Sequence, residues 1–412
     1  MITNIVVVPL YESASVYVSY DRPVSSFSGN WVPVGEPGGR RLLPFWDDGV
    51  RLISAAVDLS PGKNYQLTVV VHHQDGTTDQ GLINFRTLGP VPAPTNLIVV
   101  NIQTGNDVNG TGSLANPYRT PQRALQAIAP GQAVALAPGV YDVGYIVPPI
   151  SGLSDAWCHL IGLDPANPPV FTRGAYHTSG PGTVVFDTYG GRRYWRLADL
   201  IFRDLTANAI WLGAPDFLLE GCTIERWGRG GGSQAGVAIY GQYGAGRISI
   251  HDCNFNNQND NVNVGSPIHI WRGGLGQYSF LHNTFHLGNS IGRMDSVFTG
   301  PEADATGGWH KDSEYAHNQI YGAPDDGWQI DGGAVACRFW DNLTVDCFRA
   351  FSAAPLAAGP AWVFRNRHYV PPDHFSRHWN NAGTAWIKIG GTNYRGPLFL
   401  YNNTFFADTP VD

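Results

Sequence analysis

Short apolar runs recur along this chain, each with a polar or sulfur-bearing residue at a fixed place. They read LADLIF (197–202), LEGCTI (219–224), IHDCNF (250–255), FLHNTF (280–285), YAHNQI (315–320), FWDNLT (339–344), VFRNRH (363–368) and LYNNTF (400–405). Their fourth positions form a column: Leu200, Cys222, Cys253, Asn283, Asn318, Asn342, Asn366 and Asn403. The spacings are 22, 31, 30, 35, 24, 24 and 37 residues. Self-similarity on this scale marks a stacked-repeat architecture. One coil of a parallel β-solenoid takes a little over ~20 residues, and loops absorb the excess. Coils stacked about 4.8 Å apart place each column residue over the next, so asparagine amides can bond up the stack. A cysteine suits the column where the interior is apolar.

The first part of the chain follows a different rule. NIVVVPL, SASVYVSYD, RLISAAVDL and NYQLTVVVHH alternate apolar and polar residues, the period of half-buried antiparallel strands. The pattern predicts an all-β protein in three pieces. A small β-sandwich spans 1–88, a Pro-rich linker 89–96, and a right-handed parallel β-helix 97–412. A short helix at about 120–129 caps the solenoid. Thr120 is a fit N-cap, Pro121 suits the first helical position, Ala124, Leu125 and Ile128 give an apolar face, and Gly131 ends it. A cap protects the open core and sheet edge of the first coil.

Composition narrows the field. The chain has 412 residues with 43% hydrophobic and 14% charged content, 50 Gly and 29 Pro, a folded and turn-rich balance. Net charge is −7 without a basic run, which disfavours nucleic acid as a partner. No apolar run approaches the ~20 residues of a membrane span. The start, MITNIVVVPLYESASVYV, lacks the basic region of a signal peptide and reads as a strand. An extracellular or virion location is expected. The five cysteines sit in apolar strand patterns and are expected as buried thiols.

Candidate chemistry concentrates between 293 and 331. PDDGWQIDGG puts Asp325 and Asp326 side by side ahead of a strand, with Asp331 after it. Crowded carboxylates raise one another's proton affinity, so one can act as an acid while another, ionised, activates water. Asp295 offers a further carboxylate. Lys63, Lys311 and Lys388 are the only lysines. In a β-elimination reading, Lys311 or another base removes a proton from a uronate, and Ca²⁺ is held by Asp325, Asp326 and Asp331. Trp271, Trp309 and Trp328 are candidates for stacking on sugars, with His310, Arg365 and Lys388 as further substrate contacts.

Three resemblances add to this reading. LSPGKNY (59–65), QLTVVV and INFRT resemble a fibronectin type III domain, in which the tyrosine after the turn locks a strand corner. Such domains usually act as spacers. Tyr20 stands where that family often has Trp, and SSFSGNWVPVGEPGGRRLLPFWDD is expected to interrupt the strands as an insertion. NIQTGNDVNGTGSLANPYRTPQRALQAIAPGQAVALAPGVYD resembles the N-terminal cap of right-handed β-helix proteins. DDGWQI resembles the "DD-x-x-x-I" strand of polygalacturonases, within the pectate lyase and polygalacturonase superfamily. That resemblance implies catalytic roles for Asp325, Asp326 and Asp295. The chain departs from it in GRMDSVF, where Arg-Met replaces the family's Asn-Thr, and in lacking Gly-His-Gly on the next coil. The leading expectation is a glycoside hydrolase or polysaccharide lyase acting on an extended, acidic glycan. No cofactor is required for hydrolysis; Ca²⁺ serves elimination. The alternatives are a phage tailspike-type glycan-binding protein, then a homotrimer, and a non-catalytic adhesive surface protein.

Overall fold

The computed structural model describes residues 1–142, 144–172, 185–188, 190–205, 208–228, 238–241, 244–257, 266–270, 275–287, 298–299, 311–323, 325–372, 385–390 and 394–408. Among the described residues no helix is long and apolar enough to cross a membrane.

The alternating N-terminal segments form a small antiparallel β unit of two four-stranded sheets. One joins Ile2–Pro9, Ser13–Tyr20, Arg51–Val57 and Trp46–Asp47; the other joins Arg40–Arg41, Val24–Pro33, Asn64–His73 and Thr78–Arg86. The segment expected to interrupt the strands instead supplies three of them, Val24–Pro33, Arg40–Arg41 and Trp46–Asp47. Val24–Pro33 pairs with Asn64–His73 along its length, because its alternate residues have a buried face to fill. Trp31, buried, meets Tyr65 edge-on at 5.4 Å. The Tyr65 hydroxyl accepts the Ser60 amide at 2.6 Å and fixes the turn between them.

The rest of the described chain winds as a parallel β-helix with three walls. The first wall has eleven strands, from Asn96–Val100 to Leu398–Tyr401. The second has ten, from Val140–Asp142 to Thr404–Ala407. The third holds five strands, Phe186–Asp187 to Phe298–Thr299, then three: Asp326–Gln329, Arg349–Ala353 and Ala385–Ile389. Large apolar side chains meet between coils. Phe202, Ile224, Phe255, Phe285 and Ile320 follow one another in register inside the second wall, and all are fully buried. Each such side chain contributes roughly 1.5–3 kcal/mol through apolar burial. Thr120 caps the helix Pro121–Leu125, with its hydroxyl accepting the Arg123 amide. That helix is shorter than the sequence suggests, because the chain already turns back through Gly131 at φ 80° to enter the first wall.

The asparagine column sits at the corner between the first and second walls. The residue before each column position adopts the left-handed conformation: Asp199, Gly221, Asp252, His282, His317, Asp341, Arg365 and Asn402, with φ between 53° and 60°. That conformation turns the chain sharply enough to aim the next side chain inward. Inside, Asn318 Oδ1 accepts both the amide and the carboxamide of Asn283, each at 3.0 Å. Asn342, Asn366 and Asn403 repeat this for the coil before them. Each carboxamide from Asn283 onward also donates to a main-chain carbonyl one coil back, as Asn342 does to Tyr315 O at 3.0 Å. A fully partnered buried ladder avoids the desolvation penalty that isolated amides would incur. Cys253 donates its amide to Asn283 and continues the column as a thiol; all five cysteines are buried thiols.

The N-terminal unit lies against the outer face of the first wall. Tyr11, Tyr17, Ile53, Ala55 and Val57 pack on Leu281, Ala316, Ala336, Trp340, Trp362 and Phe364. Glu314, wholly buried, accepts the Tyr11 amide at 2.9 Å, the Ser13 hydroxyl at 2.7 Å and the Ser279 hydroxyl at 2.7 Å. Arg338 donates to Ser15, Tyr17 donates to Asp312, and Trp362 donates to Pro44 O at 2.8 Å. Asp312 and Glu314 are thus members of a buried seam. A domain seated this way is not a free spacer.

Candidate functional site

The last three strands of the third wall build the site. Trp328, Phe351 and Ile387 are in register and face the core, so Gln329, Ser352 and Lys388, also in register, face outward. Gly327 permits the close approach of the first two strands. A Cβ there would stand 2.9 Å from the Ala350 carbonyl, which accounts for the glycine after the paired aspartates.

Asp326 is wholly buried. Its Oδ2 receives the Lys388 ammonium at 3.3 Å, and no described residue donates to its Oδ1. Burial, then the neighbouring Asp325 charge, push the Asp326 carboxyl up to about 7; Lys388 opposes this and Asp331 adds to it. Asp325 is partly exposed. Lys388 is half-exposed; burial works against its charge, but Asp326, Asp331 and Asp325 outweigh that and raise its proton affinity. Asp331 is buried and saturated with donors: the Ser352 hydroxyl at 2.8 Å, the Gln329 amide at 3.1 Å and the Ala354 amide.

The structure thus brings together Asp325, Asp326, Asp331 and Lys388. Three sequence assignments change. Trp328 is wholly buried among Phe285, Tyr315 and Phe339, so it packs the core and cannot stack on a sugar. Arg365 is engaged by Asp58 and Asp341 where the N-terminal unit meets the solenoid, on another side of the coil from Asp326. Lys311 precedes a strand of the first wall beside Asp312, not the third wall that carries Asp326. Asp295, Trp271, Trp309 and His310 lie outside the described residues. As calcium ligands the aspartates fit poorly: Asp331 is occupied by donors and Asp326 by an ammonium. Among the described residues no three acidic, histidine or cysteine side chains converge to hold a metal. Gln329 and Ser352, which orient Asp331, were not singled out in the sequence. Counting inward residues from Trp328 would have placed both on the outer face.

No protein-family model matches the chain, and no curated protein matches it. Among solved structures it is similar to a family 28 exopolygalacturonase of Yersinia enterocolitica, at 14% identity over 98% of each chain and a TM-score of 0.39. It is also similar to an alginate lyase of a Paenibacillus species, at 13% identity over 76% of this chain and 100% of that one, TM-score 0.42. A third is DFA-IIIase of Arthrobacter chlorophenolicus in complex with DFA-III, at 13% identity over 76% of this chain and 85% of that one, TM-score 0.45.

Proposed function

We propose that this chain hydrolyses an extended polysaccharide, with Asp326 as the proton donor. The observation that carries the reading is a wholly buried carboxyl with one bare oxygen, flanked by a partly exposed carboxylate and an ammonium. Lys388 holds Oδ2, so the proton of a neutral Asp326 resides on Oδ1. That oxygen has no partner among the described residues and is closed to solvent, so passing its proton to the bridging oxygen of a glycosidic bond requires the site to open around the substrate. In this reading Asp325, partly exposed, takes the proton of the attacking water. A carboxyl that titrates at about 7 stays protonated through mildly acidic pH, as an acid catalyst requires.

Elimination is less well supported. It needs a neutral base, and the carboxylates around Lys388 keep that amine charged. The outward flat face of a parallel β-helix suits an extended polymer, and we read the N-terminal unit as a fibronectin type III-like module fixed to it. The test is a panel of acidic and neutral polysaccharides, with reducing ends and absorbance near 235 nm followed together. Reducing ends without a rise at that wavelength are expected. Asp326→Asn is expected to cut turnover by about 10²-fold or more. Turnover unaffected by that change, or a rise in absorbance, overturns the reading. Binding without turnover assigns the chain a glycan-holding role instead.

A further inference from the structure

The chemistry proposed above gives Asp331 no part, yet its setting is specific. Three carboxylates, Asp325, Asp326 and Asp331, share the Lys388 ammonium. The charges of Asp325 and Asp331 both raise the proton affinity of Asp326. The donors decide where the proton goes. Every contact to Asp331 comes from a donor: Ser352 Oγ and the Ala354 amide on Oδ1, Gln329 Nε2 on Oδ2. A proton there would turn a donor toward a donor. Asp325 is partly exposed, so water solvates its charge. Asp326 Oδ1 has no hydrogen-bond partner among the described residues.

We infer that Asp331 is a positioning residue: a fixed anion that keeps the site's proton on Asp326 and the Lys388 ammonium turned toward it. This rests on the hydrolytic reading for its purpose, though not for its geometry. Hydrogen bonding alone does not call for an anion at 331. An asparagine would accept from Ser352 and Ala354 through its carbonyl, so only the Gln329 contact would have to change. What the aspartate adds is charge, kept at a buried position where ionisation is costly. That charge acts on both neighbours, favouring the protonated form of Asp326 and of Lys388.

The experiment is a titration of the Asp326 carboxyl by carbon-13 NMR on aspartate-labelled full-length chain, assigned by its loss in Asp326→Asn. No substrate is needed. Asp331→Asn is expected to lower the Asp326 midpoint by about half a unit to one unit, the scale of one charge in a partly screened site. Asp331→Ser, smaller and also uncharged, gives the same readout if the asparagine variant does not fold. Ser352→Ala, which removes an anchor but not the charge, should leave the midpoint nearly unchanged. On any glycan the protein cleaves, the alkaline limb of kcat/KM should move with the midpoint. An unchanged midpoint in the uncharged variants overturns the inference even if glycan is cleaved. A shifted midpoint with no glycan cleaved supports it and counts against the hydrolytic reading alone.

Discussion

Glu314 and Asp326 are both wholly buried carboxyl groups, and the protein treats them in opposite ways. Glu314, under the N-terminal unit, accepts from Ser279, Ser13 and the Tyr11 amide, with Arg338 close by. Burial raises its proton affinity, and those donors and the guanidinium pull it back. Asp326 has one ammonium, one bare oxygen, and two further carboxylates to contend with. The first is solved as a structural problem, with donors on both oxygens. The second has a donor on one oxygen alone among the described residues, which fits the acid role proposed for it. Depth of burial alone does not separate the two; the count of donors does.

The comparison can be broken by substitution. The largest stability effect should come from Glu314→Ala, which strands Arg338 and several donors in a closed seam. A loss of about 3–5 kcal/mol is expected in urea unfolding. A loss under about 1 kcal/mol would mean that the seam does not depend on this anion. Asp326→Asn should move stability the other way. The folded carboxyl titrates at about 7, above the roughly 3.9 of an unfolded aspartate. The native state therefore binds the proton more tightly, and stability falls as pH rises from about 4 to 7. Removing the group should raise stability at pH 8 by about 1–3 kcal/mol, with the gain vanishing near pH 3. Its loss of the Lys388 pair offsets part of this. Smallest is Arg365→Ala. Its pairs with Asp58 and Asp341 are about a third exposed, so a cost of about 0–1 kcal/mol is expected from thermal unfolding. A larger cost would show that the seam relies on its rim as much as on its buried centre.

The solenoid was readable because its geometry repeats. Each asparagine had to stand behind a left-handed corner and beneath another asparagine, so the sequence had to keep the phase. The paired aspartates were readable through the likeness of DDGWQI to the "DD-x-x-x-I" strand; adjacency alone was not enough, since Asp47 and Asp48 stand ahead of Arg51–Val57 in the same way. Lys388 was readable only as a rare residue. Its contact with Asp326 crosses 62 positions and exists because the register stacks three coils. Trp328 was misread because the two faces of a strand differ by a single step of phase, and local composition does not set that phase. Glu314 was missed for another reason: HKDSE looks solvated until Tyr11 and Ser13 arrive from the far end of the chain.

That last contact has a consequence for how the molecule is made. Tyr11 and Glu314 are separated by 303 positions. At synthesis rates of about 5–20 residues per second, the first sheet waits roughly 15–60 s before its landing surface exists. Through that interval Tyr11, Tyr17 and Ile53 have only water or a chaperone to meet. Ribosome pausing within the closing coils would lengthen the wait, so the cell's handling of this protein is set by its slowest handshake.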